Sequence, residues 1–400
     1  MDEPKVVSRE RSPELSSMAA RLRSGDLGLL PVFVGLVIIW AIFQVADPVF
    51  LTPRNLSNLI LQIAVIGMLG IGETLVLLLG EIDLSVAALS GVAGAMLVIL
   101  SISLHFDAWV TILGVLLVTT LLGWVQGLWI SLIGVPAFIV TLAGWLAFQG
   151  LTLALIGQQG TVIILSNTLL AIATIYLPRA VGWLLGALLV ALLVWLDLRT
   201  RRLRARYGLS LPSSRQSLAR IVAIAVITAL VVATLNAYKG IPLVGLLLMI
   251  AVGAFAFITG STPFGRKIYA LGGNQEAARR AGLNVAWIRV WVFTISGFMA
   301  GIGGIIYASR LGAASPAAGS GNLLLDSIAT AVIGGTSLFG GRGSVFNALA
   351  GALVIGSVEN GMDLLSVPSS TRYLVQGGIL LLDVTVDTLS RQRRRSAGRA

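Results

Sequence analysis

The chain has 400 residues, is 56% hydrophobic and only 11% charged, and has a mean hydropathy of +0.94. A water-soluble domain of that length needs far more charge to cover its surface. With no cysteine and His105 as its single histidine, the chain has no disulfides, thiolate metal sites, cysteine nucleophiles or histidine-cluster metal sites, and no cofactor is expected.

Apolar runs of about 20 residues recur along the chain, each enough to cross roughly 30 Å of hydrocarbon, and none alternates as barrel strands do. The expectation is an all-α polytopic membrane protein of about 12 transmembrane helices. A polar N-tail over 1–26 carries Lys5, Arg9, Arg11, Arg21 and Arg23. It is too charged, and the run after it too hydrophobic, for a cleaved signal peptide, so 27–46 is read as an uncleaved first span. Further spans are expected near 56–79, 84–104, 108–132, 136–157, 180–198, 218–237, 241–262, 289–308, 323–340, 345–365 and 372–389. The segment 168–177 is too short to span and is placed at the outer interface.

Charge fixes the expected orientation. The N-tail, 199–220, 266–289 and 391–399 hold 5, 7, 5 and 5 of the 28 basic residues. With twelve spans and the N-terminus inside, all four fall on the cytoplasmic side, as the positive-inside rule requires. Both termini are then cytoplasmic. The net charge of +11 reports this asymmetry and a lipid membrane as surroundings; no nucleic-acid partner is expected.

Acidic groups inside apolar spans cost about 3 kcal/mol each on insertion scales, so they usually face a partner or a wet cavity. Glu73, Asp83, Asp326, Glu359 with Asn360, and Asp383 qualify by position. Glu73 reads as glue between helices, while Asp383 and Asp387 sit near the cytoplasmic end of the last span. Asp83 and Asp326 each begin a span, where pathway and helix-capping roles both remain open. The runs Ile82-Asp83-Leu84-Ser85-Val86-Ala87-Ala88-Leu89-Ser90-Gly91 and Leu325-Asp326-Ser327-Ile328-Ala329-Thr330-Ala331-Val332-Ile333-Gly334 resemble one another. They fit an inverted repeat of the kind transporters use, or shared small-residue packing. His105 and the tryptophans Trp40, Trp109, Trp124, Trp129 and Trp145 read as interfacial or packing residues.

A polar island interrupts this lipid-grade sequence over 263–282. Its helix-forming stretch, 275–281, is bracketed by glycines. Two turns of helix are not stable alone in water, so this one is expected to dock on a partner. The chain has no G-x-x-x-x-G-K-[ST] and cannot cradle ATP phosphates in that manner. The glycine-rich 334–343 lacks the lysine, and close helix packing or a broken helix explains it.

Three separated motifs carry a family resemblance. Gly80-Glu81-Ile82-Asp83-Leu84-Ser85-Val86 is similar to the GIDLSVG signature of ribose/xylose-type sugar permeases in ABC importers. The run from Asp326 through Gly334-Gly335-Thr336-Ser337-Leu338-Phe339-Gly340-Gly341-Arg342-Gly343-Ser344 resembles their DAIAAVVLGGTSLFGGRGS. Tyr269-Ala270-Leu271-Gly272-Gly273-Asn274 and the residues to Gly282 resemble their cytoplasmic coupling loop. The resemblance covers roughly 30–390. Glu81 and Ala87 depart from it, standing where the family usually has glycine.

The resemblance implies a type II importer-like permease subunit of the branched-chain amino acid/monosaccharide superfamily in a bacterial inner membrane. Its permease domain would be 27–390, with 263–288 as coupling loop and 391–400 as basic tail. The pair 180–237 looks like the extra helices of xylose-type permeases. Implied partners are a cytoplasmic ATPase, a periplasmic or extracellular sugar-binding protein and a second permease copy. The chain itself would not be an enzyme. Pathway candidates are Asp83, Ser85, Asp326, Glu359 and Asn360; coupling candidates are Gly273, Asn274, Glu276, Ala277, Ala278 and Gly282. An ion-coupled secondary transporter using the intramembrane acids and a membrane scaffold are the competing readings. A secondary carrier does not need the docking helix, and a scaffold does not need acids buried at repeated positions.

Overall fold

The computed structural model describes residues 30–157, 160–210 and 213–396. The N-tail expected over 1–26 lies outside them, as do residues 397–400 and the side chains of Asp383 and Asp387. The elements are α1 (Leu30–Ala46), α2 (Pro53–Leu78), α3 (Val86–Val98), α4 (Ala108–Leu128), α5 (Ala137–Ile156), α6 (Asn167–Thr174), α7 (Arg179–Arg206) and α8 (Ser214–Asn236). They continue with α9 (Leu243–Ser261), α10 (Pro263–Gly273), α11 (Gln275–Arg280), α12 (Val285–Leu311), α13 (Leu323–Ile333), α14 (Val345–Leu364) and α15 (Ser369–Ser396). Two-residue strands, β1 (Val162–Ile163) and β2 (Ala313–Ala314), pair antiparallel. Among the described residues, nine helices are long and apolar enough to cross a membrane.

Helix α2 is the axis of the molecule. It starts on a Thr52 cap with proline at its first turn, a position where the missing N–H costs nothing. Its apolar window is 94% buried. Helix α12 runs antiparallel to it: Gly72 faces Ser296 and Met299, and Gly303 faces Leu69. On its other side α12 meets α4 through Gly123 and Gly127 opposite Gly297 and Val290. Small residues four apart bring the two backbones together, as membrane helices without a hydrophobic driving force require. The outer helices α4, α5, α7 and α8 expose their apolar side chains, as with Leu113 (67%) and Leu230 (63%), the surface expected against lipid. The pair expected over 180–237 is present as the hairpin α7–α8, with Gly186 packed on Thr228 and Val232. Asp197 joins Arg201 at 2.7 Å and Arg220 at 3.5 Å at one end of it.

One element departs from the expected spans. The span expected over 323–340 is the 11-residue α13, about 16 Å long at 1.5 Å per residue, followed by irregular chain over 334–344. The span expected over 84–104 is present as α3 continued by a π-helical stretch over Ile99–Ser103, 18 residues in all. The apolar composition runs on past the end of α13; what breaks the helix there is glycine-rich backbone, which composition averages over.

These two short helices give the fold its symmetry. Helix α3 runs parallel to α12, with Asp83 beside Ser296, Ser90 beside Gly304 and Gly94 beside Ala308. Helix α13 is antiparallel to α14 (Thr330 beside Gly351), and α14 is antiparallel to α2 (Gly67 beside Ala352, Asn55 beside Asn360). So α13 runs parallel to α2. Each half is therefore a long helix, an irregular segment and a short helix, with the short helix lying along the long helix of the other half. That is the geometry an inverted repeat requires.

Candidate functional site

One end of the bundle is locked by glycines. The C-terminal end of α2, the end of α10 and the 334–344 segment converge there. Gly341 N–H donates to the Leu78 carbonyl at 2.9 Å, and Tyr269 on α10 donates its hydroxyl to the Gly343 carbonyl at 2.8 Å. Gly80 and Gly340 hold φ of +79° and +82°. A Cβ on Gly340 would stand 2.8 Å from the Gly80 nitrogen and the Gly272 carbonyl. Both the conformation and the close approach demand glycine.

The polar island hangs from this lock as two helices rather than one. Thr262 caps α10 by accepting from Gly265 N–H at 3.2 Å. Asn274 caps α11 by accepting from Ala277 N–H at 2.9 Å, and Glu276 and Arg280 pair along it at 3.1 Å. Gly273, Asn274, Glu276, Ala277 and Gly282 are exposed. Ala278 departs from the expectation of a docking face: it is 5% exposed and packs inward with the core that includes Leu271, Val285 and Ile288.

Glu81 gains a partner that its sequence motif does not announce. Its carboxylate forms an ion pair with Arg289 on α12 at 2.6 Å, and Arg289 also donates to Gln275 Oε1 on α11 at 3.2 Å. The turn after α2, the first turns of α12 and the exposed helix α11 are thereby tied together. Burial pushes the Glu81 carboxyl above the usual carboxylate range, and the Arg289 charge opposes that shift.

Asp83 and Ser85 lie in a closed cluster, 2% and 0% exposed. Asp83 accepts from the Ser85 N–H (2.9 Å), the Ser85 hydroxyl (2.6 Å) and the Ser296 hydroxyl (2.8 Å). Gln126 Nε2 donates to Ser85 Oγ at 3.0 Å, and Glu73 accepts from the Asp83 N–H at 3.3 Å. The glue expected of Glu73 thus joins α2 to the turn before α3.

The opposite end of the bundle holds a cavity of about 280 Å³. Arg310, on its wall, is 21 residues beyond Arg289 along α12, roughly 30 Å at 1.5 Å per residue. Asp326 from α13 and Glu359 from α14 enter together, and Gln376 from α15 bridges them, its Nε2 donating to Asp326 at 3.1 Å and Glu359 at 3.3 Å. Arg372 forms an ion pair with Asp363 at the rim. Gln62, Tyr307, Asn322 and Tyr373 complete much of the lining. Of the five expected pathway residues, only Asp326 and Glu359 line this cavity. Asn360, one residue on, faces away and accepts from Asn55 Nδ2 at 2.7 Å.

Sequence reasoning missed Gln62, Arg310, Asp363, Arg372 and Gln376. A signal existed: Glu359 with Asp363, and Arg372 with Gln376, are four apart, which puts each pair on one helix face.

The chain is 41% identical over 375 residues to the xylose transport system permease protein of Escherichia coli (strain K12), covering 93% of this chain and 94% of that one. It is 39% identical over 374 residues to the xylose transport system permease protein of Haemophilus influenzae (strain ATCC 51907 / DSM 11121 / KW20 / Rd), covering 93% and 99%. The ribose import permease protein of Bacillus subtilis (strain 168) is 32% identical over 363 residues, covering 91% and 94%. No solved structure matches the chain. The family model described as branched-chain amino acid transport system / permease component matches residues 55–384, from the first turn of α2 into α15, and the chain belongs to that family.

Proposed function

We propose that this chain is the membrane subunit of an ABC importer that moves a monosaccharide, with xylose favoured, across a bacterial inner membrane. The observation that carries the reading is end-to-end similarity, at 39–41% identity, to proteins named as xylose transport permeases. It is a transport subunit, and ATP hydrolysis belongs to a partner ATPase. A sugar-binding protein delivers substrate, and a second copy of the chain completes the membrane assembly. The end bearing α10 and α11 faces the cytoplasm, where Gly273, Asn274, Glu276, Ala277 and Gly282 present α11 to the ATPase; the cavity end faces outward. A helix seated in a partner's groove can carry rigid-body motion, and the Glu81–Arg289–Gln275 tie gives that motion a route into the bundle. Asp326 and Glu359 line the entrance to the pathway.

Reconstitution tests this. Proteoliposomes holding the chain with its ATPase and binding protein are expected to accumulate labelled xylose only with ATP inside the ATPase-bearing compartment. Accumulation driven by a proton or sodium gradient without ATP would overturn the reading in favour of an ion-coupled carrier.

A further inference from the structure

We infer that the cavity between α2, α12, α13, α14 and α15 is a binding station for a single monosaccharide within the permease itself. The inference rests on the sugar-import reading above and goes beyond it by assigning the ligand class to particular side chains. Gln376 is 6% exposed and Gln62 is 7% exposed, and both line the cavity. The Gln376 amide is placed with its Nε2 toward the two carboxyl groups, the orientation that gives both acids an N–H donor. Its Oε1 is thereby turned away and has no donor among the described residues. Gln62 repeats the pattern: Nε2 points to Asp363 at 3.5 Å, and Oε1 is unpartnered. Asn322 Oδ1, also on the lining, is a third such acceptor.

Buried acceptors without donors are rare in folded proteins, because each costs about 1–3 kcal/mol. Three belong to residues of the cavity wall, beside the carboxyl groups of Asp326 and Glu359, and are shielded from solvent in this structure. An anion is disfavoured by those two carboxylates. An apolar ligand would leave the acceptors unmet. A small polyol matches: its hydroxyls donate to Asp326 and Glu359, and its oxygens accept from the Gln376 amide, Arg310 and Arg372. Tyr307 and Tyr373 add aromatic surface of the kind that covers the C–H faces of a sugar ring. The volume, about 280 Å³, lies at the lower edge of small-molecule sites and suits one sugar ring rather than a chain of them.

The test uses the absence of native cysteine. Ser320 is an exposed lining residue, so Ser320→Cys reports on the cavity by its rate of reaction with a maleimide. The full chain, assembled with its ATPase in lipid nanodiscs, is labelled with and without millimolar D-xylose. A several-fold slowing by xylose is expected, with none from sodium chloride or from a disaccharide. Gln376→Leu should abolish the protection and raise the KM for uptake; Gln62→Leu is the second variant should the first not assemble. If the importer transports xylose while Ser320→Cys reacts at one rate with and without it, the station is overturned and the importer reading stands. Protection by sodium alone would overturn it in favour of a cation site. A chain that transports no monosaccharide overturns both.

Discussion

Two aspartates that look alike in sequence are set apart by what surrounds them. Asp83 terminates a closed cluster, accepting from one backbone N–H and two hydroxyls while 2% exposed. Asp326 shares Gln376 with Glu359 on the wall of a cavity. Removing Asp83 orphans the Ser85 N–H and the Ser296 hydroxyl, each worth about 1–3 kcal/mol when left unpaired in a buried site. Asp83→Ala is therefore expected to lower the melting temperature of the purified chain and its yield of assembled complex. Uptake should fall only in proportion to the protein assembled. Asp326→Asn keeps the shape and the acceptor to Gln376, so melting should stay near wild type while uptake per assembled complex falls. The two variants separate structure from transport in one pair of measurements. An Asp83→Ala protein that melts like wild type yet does not transport would reverse the assignment.

At the scale of elements, α11 shows how one face of a short helix divides its labour. Ala277 is exposed and Ala278 is buried under the same two turns. Ala277→Trp is expected to leave insertion and melting unchanged while weakening ATPase co-purification and abolishing sugar uptake. Ala278→Trp must instead displace the core beneath it, and overpacking of that kind typically costs about 1–3 kcal/mol. Its expected signature is a loosened loop with a lowered melting temperature. Retention of ATPase binding and uptake by Ala277→Trp would reduce α11 to a basic loop. The sequence made part of this readable. The glycine brackets point to a helix at 275–281, and the observed α11 is Gln275–Arg280. Which alanine turns inward depends on contacts with α10 and α12, and sequence spacing carries no record of them. The same limit explains α13. Residues 323–340 are apolar enough to span, but the glycines from Gly334 to Gly343 adopt left-handed or close-packed conformations that end the helix halfway. The cavity was half visible for a related reason. Its acids stood out against an apolar background, whereas Gln62 and Gln376 are uncharged and acquire meaning only when α2 and α15 meet.

At the scale of the molecule, charge and symmetry make the same demand. The inverted halves, α2–α3 and α12–α13, place equivalent short helices running opposite ways, and the fold alone does not say which end meets the cytoplasm. The charge does. The end of α7 and the start of α8 carry Arg199, Arg201, Arg202, Arg204, Arg206, Arg215 and Arg220, and the α10–α12 segment carries Arg266, Lys267, Arg279, Arg280 and Arg289. In the proposed orientation such clusters are retained on the cytoplasmic side and the cavity faces outward. A cysteine-free chain allows a direct check with single introduced cysteines. Ser210→Cys and Gln275→Cys, both at exposed positions, are expected to resist an impermeant maleimide in intact cells and to react once the cells are opened. Ser320→Cys, at the cavity mouth, is expected to react from outside without permeabilisation. The three positions belong to one bundle, so the proposed orientation requires them to answer together. Reaction at position 210 or 275 in intact cells would invert the whole molecule. The cavity would then face the cytoplasm and α11 would be out of any ATPase's reach.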